Sequence, residues 1–401
     1  MSWEFQLSRE QIEELVERYG SPLYLYDEET LRTRCRELKN LISYPHFKPN
    51  YSAKANTNIE LLKIIRSEGF CVDAMSPGEI LLELKAGFAP EEILFISNNV
   101  SVEEFAFAVE HNITVSVDSL SQLETFGRSF PGKKVAVRLN PGVGAGHNKK
   151  VITGGKSKFG IELSELPEIK RIAACYELHI IGINMHIGSL FLEGSVYIEA
   201  GNTLLEAAKE FSELQFIDLG GGFGVPYHEE ERLDLAAMSV SLNELIEEFI
   251  RDYPNKELIF MIEPGRYVVA ECGLLIGRVN STKVNYGEKY VGTDIGFNVL
   301  MRPVLYDSYH GIIVYNDSME EEEVTIVGNI CETGDIITKG RRLPRVAEGD
   351  YIGVRTTGAY GYSMSSNYNA RLRPAEVLLE RSGTTRLIRK RDSLEELIRQ
   401  L

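Results

Sequence analysis

The sequence predicts an α/β chain: a (β/α)8 TIM-like barrel followed by a C-terminal β-rich domain. Three observations predict it. Eight short, β-prone apolar runs alternate with amphipathic stretches that open on helix-capping residues. After about residue 270 the rhythm changes to strands and turns with no long helix between them. Residues able to do chemistry gather at the C-terminal ends of the eight runs, the face on which barrels of this kind place their sites.

Residues 8–20 read as a capped helix stopped by a glycine, and residues 22–26 as a strand. The barrel runs are 47–53, 71–74, 93–96, 114–117, 135–138, 180–185, 216–219 and 258–262. Between them stand helix starts of the Ser/Thr-x-x-Glu/Gln kind: Thr57 with Glu60, Ser76 with Glu79, Ser101 with Glu104 and Ser119 with Gln122. In such a pair the hydroxyl accepts from an otherwise orphaned N–H and the longer side chain reaches back. Pro77 suits a first helical position, and Ile59, Leu62 and Ile65 share one helical face. A doubly wound sheet is the alternative architecture. In the second domain, 291–294, 310–315, 324–327 and 350–355 read as strands, with a turn at Asn285-Tyr286-Gly287 and a solvated hairpin tip at the acidic run 320–323. Residues 393–401 have the pattern of a short amphipathic helix. The domains are therefore expected at 28–270 (barrel) and at 271–401 with 1–27 (β-rich).

Composition narrows the function classes. A chain of 401 residues holds one large barrel and a smaller unit, and 43% hydrophobic with 25% charged residues is globular composition. The net charge of −16 argues against nucleic acid or an anionic membrane as partner. Five scattered cysteines, none in a CxxC pair, fit a reducing compartment and suggest neither a disulfide framework nor a zinc site. The start Met1-Ser2-Trp3-Glu4-Phe5 has no signal-peptide pattern, and no apolar run reaches membrane-spanning length. A cytoplasmic soluble protein is expected.

The strand ends carry Lys54, Asp73, Asn98, Arg138, His186, Gly220-Gly221-Gly222 and Glu263-Pro264-Gly265-Arg266. A lysine at a strand end can condense with a carbonyl when burial or a nearby cation lowers its pKa. A glycine run lets backbone N–H groups approach an anion. Singly, His186 reads as a structural histidine and the glycine run as a turn. Together they offer an amine for an aldehyde, a cradle for a phosphate, a flat imidazole for a ring and an acid for a pyridine nitrogen. Pyridoxal 5'-phosphate asks for that set.

Tyr51-Ser52-Ala53-Lys54-Ala55-Asn56, His186-Ile187-Gly188-Ser189, Asp218-Leu219-Gly220-Gly221-Gly222-Phe223-Gly224 and Glu263-Pro264-Gly265-Arg266 resemble the landmarks of the fold-type-III, alanine racemase-like pyridoxal-phosphate decarboxylases. Arg302-Pro303 with Tyr306-Asp307, Cys331-Glu332-Thr333-Gly334-Asp335, and the run from Gly358-Ala359-Tyr360 to Tyr368-Asn369 and Arg373-Pro374-Ala375-Glu376 are similar to the diaminopimelate decarboxylase family. The resemblance covers nearly the whole chain. It implies that Lys54 bonds the cofactor aldehyde, His186 stacks on its ring and Glu263 pairs with its pyridine nitrogen. Ser189, Gly221, Gly222, Gly265 and Tyr360 would surround the phosphate, with Pro264 and Arg266 beside them and Asp73 and Arg138 in support. Arg266, Arg302, Tyr306 and Tyr360 would bind the substrate, with the remote carboxylate on the arginines and Glu332 on the remote amine. Cys331 would return a proton after CO2 leaves. Cys331 and Glu332 would come from the second subunit of a homodimer with shared active sites.

The implied reaction turns meso-2,6-diaminopimelate into L-lysine and CO2, the last step of lysine biosynthesis. Two departures from the family pattern stand out: Leu190-Phe191-Leu192 after His-Ile-Gly-Ser, where the family has a glutamine, and the loop 146–155 leading into Lys158-Phe159-Gly160-Ile161. The first opens the alternative of a related basic amino acid such as D-ornithine or D-lysine. A racemase and a non-catalytic, partner-binding relative are further alternatives. Retention of Lys54, Glu263 and Cys331 counts against the latter.

Overall fold

The computed structural model describes residues 7–146 and 148–399; the Met1–Phe5 start and His147 of the atypical loop lie outside them. The chain divides into two compact units, one of residues 33–225 with 231–268, the other of the rest.

In the first unit eight parallel strands close on themselves: Phe47–Ser52, Cys71–Ala74, Ile93–Ile96, Thr114–Val117, Lys134–Asn140, His179–Asn184, Phe216–Asp218 and Ile259–Ile262. Each pairs with the next, and the eighth returns to the first through Phe260 opposite Phe47 and Ile262 opposite Pro49. The architecture is the expected barrel rather than the doubly wound sheet. Its interior is packed by Leu94, Ile96, Ala136, Ile181, Phe216 and Met261. Gly182 makes room for the Phe216 ring, since a Cβ there would lie 2.1 Å from Phe216 Cζ, the small-beside-large filling that a tapering barrel needs.

The helix starts follow the sequence with local changes. Ser101 and Glu104 form a complete capping box. Ser76 and Ser119 accept from the Glu79 and Gln122 N–H groups, but the longer partners reach elsewhere. The Glu79 carboxylate accepts from Met75 N at 2.7 Å, and Gln122 donates to Val100 O at 2.8 Å. Thr57 does not cap its helix; Asn58 does, accepting from Glu60 N at 3.0 Å ahead of Ile59–Ser67. Asn58 stands immediately before the first helical residue, and its side-chain amide oxygen accepts from the N–H two residues on, as an N-cap does.

The second unit opens with the helix Arg9–Tyr19, boxed by Ser8 and Gln11 and ended by Gly20 at φ +81°. Its sheet runs Ile336–Pro344, Glu321–Val327, Glu288–Thr293, Gly273–Asn285, Leu23–Asp27, Ala375–Leu379, Thr385–Arg389, with Tyr351–Arg355 pairing both Gly273–Asn285 and Ile312–Tyr315. Ile12, Leu15, Leu23, Leu25, Leu274, Ile276, Tyr315 and Val377 form its core. The acidic run is strand rather than hairpin tip. Glu321, Glu322 and Glu323 stand opposite Pro344, Leu343 and Arg342, and Lys289 meets Glu322 at 2.5 Å, so cations across the sheet offset the like charges. The expected turn at Tyr286-Gly287 has both residues at positive φ, +50° and +85°, as a two-residue hairpin requires. Among the described residues no helix is long and apolar enough to cross a membrane.

Candidate functional site

The barrel unit brings Lys54, Asp73, Arg138, His186, Ser189, Gly221, Gly222, Glu263, Pro264, Gly265 and Arg266 to the C-terminal ends of its strands or the turns that follow. Lys54 sits in the single 3-10 turn Ala53–Ala55 that ends the first strand. That turn is held by Asp73, which accepts from Ser52 Oγ at 2.9 Å and from Ala53 N at 3.1 Å. Ser52 N donates to Pro264 O at 3.2 Å, tying the lysine turn to the end of the eighth strand.

Three buried carboxyl groups share this mouth: Asp73, Asp218 and Glu263. Burial, then the Asp218 and Asp73 charges, push Glu263 well above the usual carboxylate range, against the pull of Lys54 and Arg138. Asp218 is pushed up to about 7, mainly by burial and against the Gly220 N–H it accepts at 2.8 Å. The buried Arg138 guanidinium lies over the Phe159 ring at 4.7 Å. His186 Nδ1 accepts from Gly221 N at 3.1 Å. Burial, with Lys54 and Arg138 nearby, lowers its pKa well below that of a free imidazole. Its ring is therefore neutral, and the 3.9 Å approach to Glu263 is not an ion pair.

The glycine turn follows from close backbone approach. A Cβ on Gly221 would fall 1.8 Å from Glu263 O, and Gly222 combines φ +111° with a Cβ position 2.6 Å from Gly188 O. Side chains are excluded and the N–H groups stay open to an anion. Arg266 reaches over this end of the barrel and donates from Nη2 to Ser189 Oγ at 3.0 Å. The atypical loop is pinned to the sixth strand's exit: Thr153 Oγ1 donates to His186 O at 2.6 Å and Thr153 N to Ile187 O at 3.2 Å.

One observation tests these residues against pyridoxal phosphate. Glu263 Oε1 is buried and has no hydrogen-bond partner among the described residues. A buried orphan acceptor is costly, and a protonated pyridine nitrogen is a donor that satisfies it. With an amine at Lys54 and a side-chain-free cradle at Gly221-Gly222, the set fits the group.

The β-rich unit carries the other expected residues. Arg302 opens the helix Arg302–Tyr306, buried, and Tyr306 closes it half-buried before Asp307 turns the chain at φ +55°. Cys331 and Glu332 are exposed on the loop between two sheet strands. Cys331 N donates to Asn369 Oδ1 at 2.8 Å and Tyr368 Oη to Glu332 Oε1 at 2.7 Å. Tyr360 is half-buried at φ +56°. The sequence reading assigned no role to Asp218, Tyr368, Asn369 or His310. Asp218 had a signal, an Asp two residues before a glycine, the pattern of an Asx turn.

The description "pyridoxal-dependent decarboxylase, pyridoxal binding domain" belongs to the family model that matches residues 28–270. The chain is 41% identical to a diaminopimelate decarboxylase of Methanothermobacter thermautotrophicus over 398 residues, 96% of this chain and 92% of that protein. It is 36% identical to the Escherichia coli diaminopimelate decarboxylase, covering 99% of this chain and 97% of the relative. Among solved structures, diaminopimelate decarboxylase from Helicobacter pylori complexed with L-lysine superposes with a TM-score of 0.89 at 34% identity, covering 97% of this chain and 98% of that one.

Proposed function

Since the chain belongs to the diaminopimelate decarboxylase family of pyridoxal-dependent decarboxylases, we propose that it takes CO2 from meso-2,6-diaminopimelate and leaves L-lysine. The observation that carries the reading is the buried, unbonded Oε1 of Glu263 in a mouth that also holds Lys54.

The cofactor, when bound, supplies an electron sink for the pair left on the substrate carbon as CO2 departs. Lys54 is its anchor, His186 offers a neutral ring face, and Ser189 with the Gly221, Gly222 and Gly265 backbone takes the phosphate, joined by Tyr360. Asp73 holds the turn that presents Lys54, and Arg138 offsets the carboxyl cluster. Glu263 keeps a proton at the pyridine nitrogen, and the sink stays cationic only while that proton is held. The substrate's remote carboxylate suits the planar fork of Arg302, with Arg266 and Tyr306 assisting. Glu332 takes the remote ammonium. Cys331 Sγ–H gives a proton to the substrate carbon, a general-acid step for an exposed thiol. In this reading Cys331 and Glu332 serve the site of a second subunit, and the enzyme works as a homodimer in the cytoplasm, where its free cysteines stay reduced.

The test is the absorbance spectrum of the purified protein, then CO2 release from meso-diaminopimelate, D-lysine and D-ornithine. A bound-cofactor band that Lys54→Ala abolishes, with turnover of diaminopimelate, supports the proposal. Turnover of D-lysine or D-ornithine alone overturns the substrate and spares the cofactor; absence of the band overturns both.

A further inference from the structure

We propose that His310 is a positioning residue for substrate binding: it fixes the guanidinium of Arg302 from behind and leaves its charge undiminished. The inference rests on the reading that Arg302 receives the remote carboxylate.

Arg302 and His310 are 1% and 2% exposed. Arg302 Nη1 lies 2.9 Å from His310 Nε2, and His310 Nδ1 lies 2.8 Å from Arg355 O. These contacts leave one assignment of protons. A guanidinium cannot accept, so Nε2 is the acceptor; a carbonyl cannot donate, so Nδ1 carries the hydrogen. His310 is thus held as the neutral Nδ1–H tautomer between two groups that each demand that form.

The rest of the packing fixes the ring in place. Arg355 N donates to Gly311 O at 2.9 Å and Arg341 Nη1 to His310 O at 3.3 Å, so the backbone on both sides of the imidazole is tied down. Tyr227 completes the seat. The Arg302 guanidinium carbon stands 4.5 Å from the Tyr227 ring centroid, and the Tyr227 and His310 rings meet edge to face at 5.2 Å. One neighbour thus sets the plane of the guanidinium and the other sets its rotation within that plane.

A neutral acceptor suits this task. A carboxylate in the place of His310 would orient Arg302 equally well, but it would form an ion pair and compete with an incoming carboxylate. Imidazole takes one N–H bond without cancelling charge. A guanidinium already oriented loses less freedom when it forms its fork on a ligand, so binding is where the effect is read.

The experiment measures kinetics of His310→Phe, His310→Gln and Arg302→Met in the cofactor-loaded enzyme, with inhibition by L-lysine and by 1,5-diaminopentane. L-lysine keeps a carboxylate and the diamine has none. Phenylalanine keeps the aromatic edge and removes the acceptor. His310→Phe is expected to raise KM for diaminopimelate by roughly 10- to 100-fold with kcat within about threefold. The inhibition constant of L-lysine should rise in step while that of the diamine stays put. His310→Gln, whose amide oxygen can stand where Nε2 stood, should recover most of the loss. A wild-type KM in His310→Phe, while Arg302→Met raises it, overturns the inference and spares the role of Arg302. A wild-type KM in Arg302→Met overturns that role and the inference with it. Equal weakening of L-lysine and the diamine in both His310 variants would mark a purely structural histidine and also overturn it.

Discussion

Phe191 and Gly222 are joined through the backbone: Phe191 N donates to Gly222 O at 3.1 Å, beside a second bond from Gly224 N to Phe191 O at 2.9 Å. The Phe191 ring is buried, 5.3 Å from Tyr197 and 5.4 Å from Phe223 between centroids, and Tyr197 Oη donates to Gly220 O at 2.9 Å. An aromatic cluster thus underlies the glycine turn. Leu190, at φ +65°, turns the chain so that Phe191 packs there. The segment that departs from the family pattern therefore braces the proposed phosphate cradle.

Phe191→Ala is accordingly expected to loosen the cofactor more than to alter the choice of substrate. Truncation of a buried phenylalanine costs about 3–5 kcal/mol of stability. Dissociation of pyridoxal phosphate, followed by absorbance on dilution, should weaken about tenfold or more as the cradle relaxes. The preference for diaminopimelate over D-lysine should be unchanged. A reversed preference with normal cofactor retention would restore residue 191 to substrate selection.

Glu263 supports a prediction about charge. Glu263→Gln keeps the shape and a hydrogen-bonding group but cannot balance a cationic pyridine nitrogen. The variant should still load cofactor at Lys54, seen by absorbance, while kcat falls by about 10²- to 10³-fold through loss of electrostatic stabilisation. Loading and turnover both at wild-type levels would remove Glu263 from the mechanism.

The legible parts of this fold were those set by neighbours in the chain. The barrel strands announce themselves as apolar runs ending in caps, and Ser101 with Glu104 folds as its local pattern dictates. The strand Gly273–Asn285 was missed because it is two strands in one: residues 274–277 are buried between partners, whereas the outer half is mostly exposed and shows no apolar run. The acidic residues 321–323 read as solvent-facing tip because their cations, Lys289 and Arg342, come from other strands. At the candidate site, Lys54, His186 and Glu263 were singled out through the company of strand ends. Asp218 and His310 draw their meaning from contacts that only folding creates, a shared carboxyl cluster in one case and a guanidinium in the other.

Glu83 predicts a dependence of stability on pH. It is fully buried in the helix Pro77–Ala86, and neither carboxyl oxygen has a hydrogen-bond partner among the described residues. Burial, then the Asp73 and Glu79 charges, push it up to about 10 from 4.5. A folded pKa above the unfolded one means that the bound proton stabilises the fold fully below about pH 4.5 and progressively less as pH rises towards 10, by about 1.4 kcal/mol per unit. Glu83→Gln removes that titration. Its stability relative to the parent, from urea midpoints, should therefore grow between pH 5 and pH 8 by about 4 kcal/mol. A difference that does not change with pH would show that Glu83 ionises in the fold as readily as outside it.

The proposed homodimer with shared sites makes a quantitative prediction from two disabled chains. Let one carry Lys54→Ala and the other Cys331→Ser, each with little activity alone. If Cys331 serves the barrel of the partner, a mixed dimer has one site with both defects and one with neither. Random exchange of subunits makes half the dimers mixed, so about a quarter of all sites should recover. If Cys331 serves its own barrel, every site in every dimer keeps one defect and mixing restores nothing. Activity measured after the two variants are unfolded together and refolded separates the two cases, and the residual activity of each chain refolded alone sets the baseline.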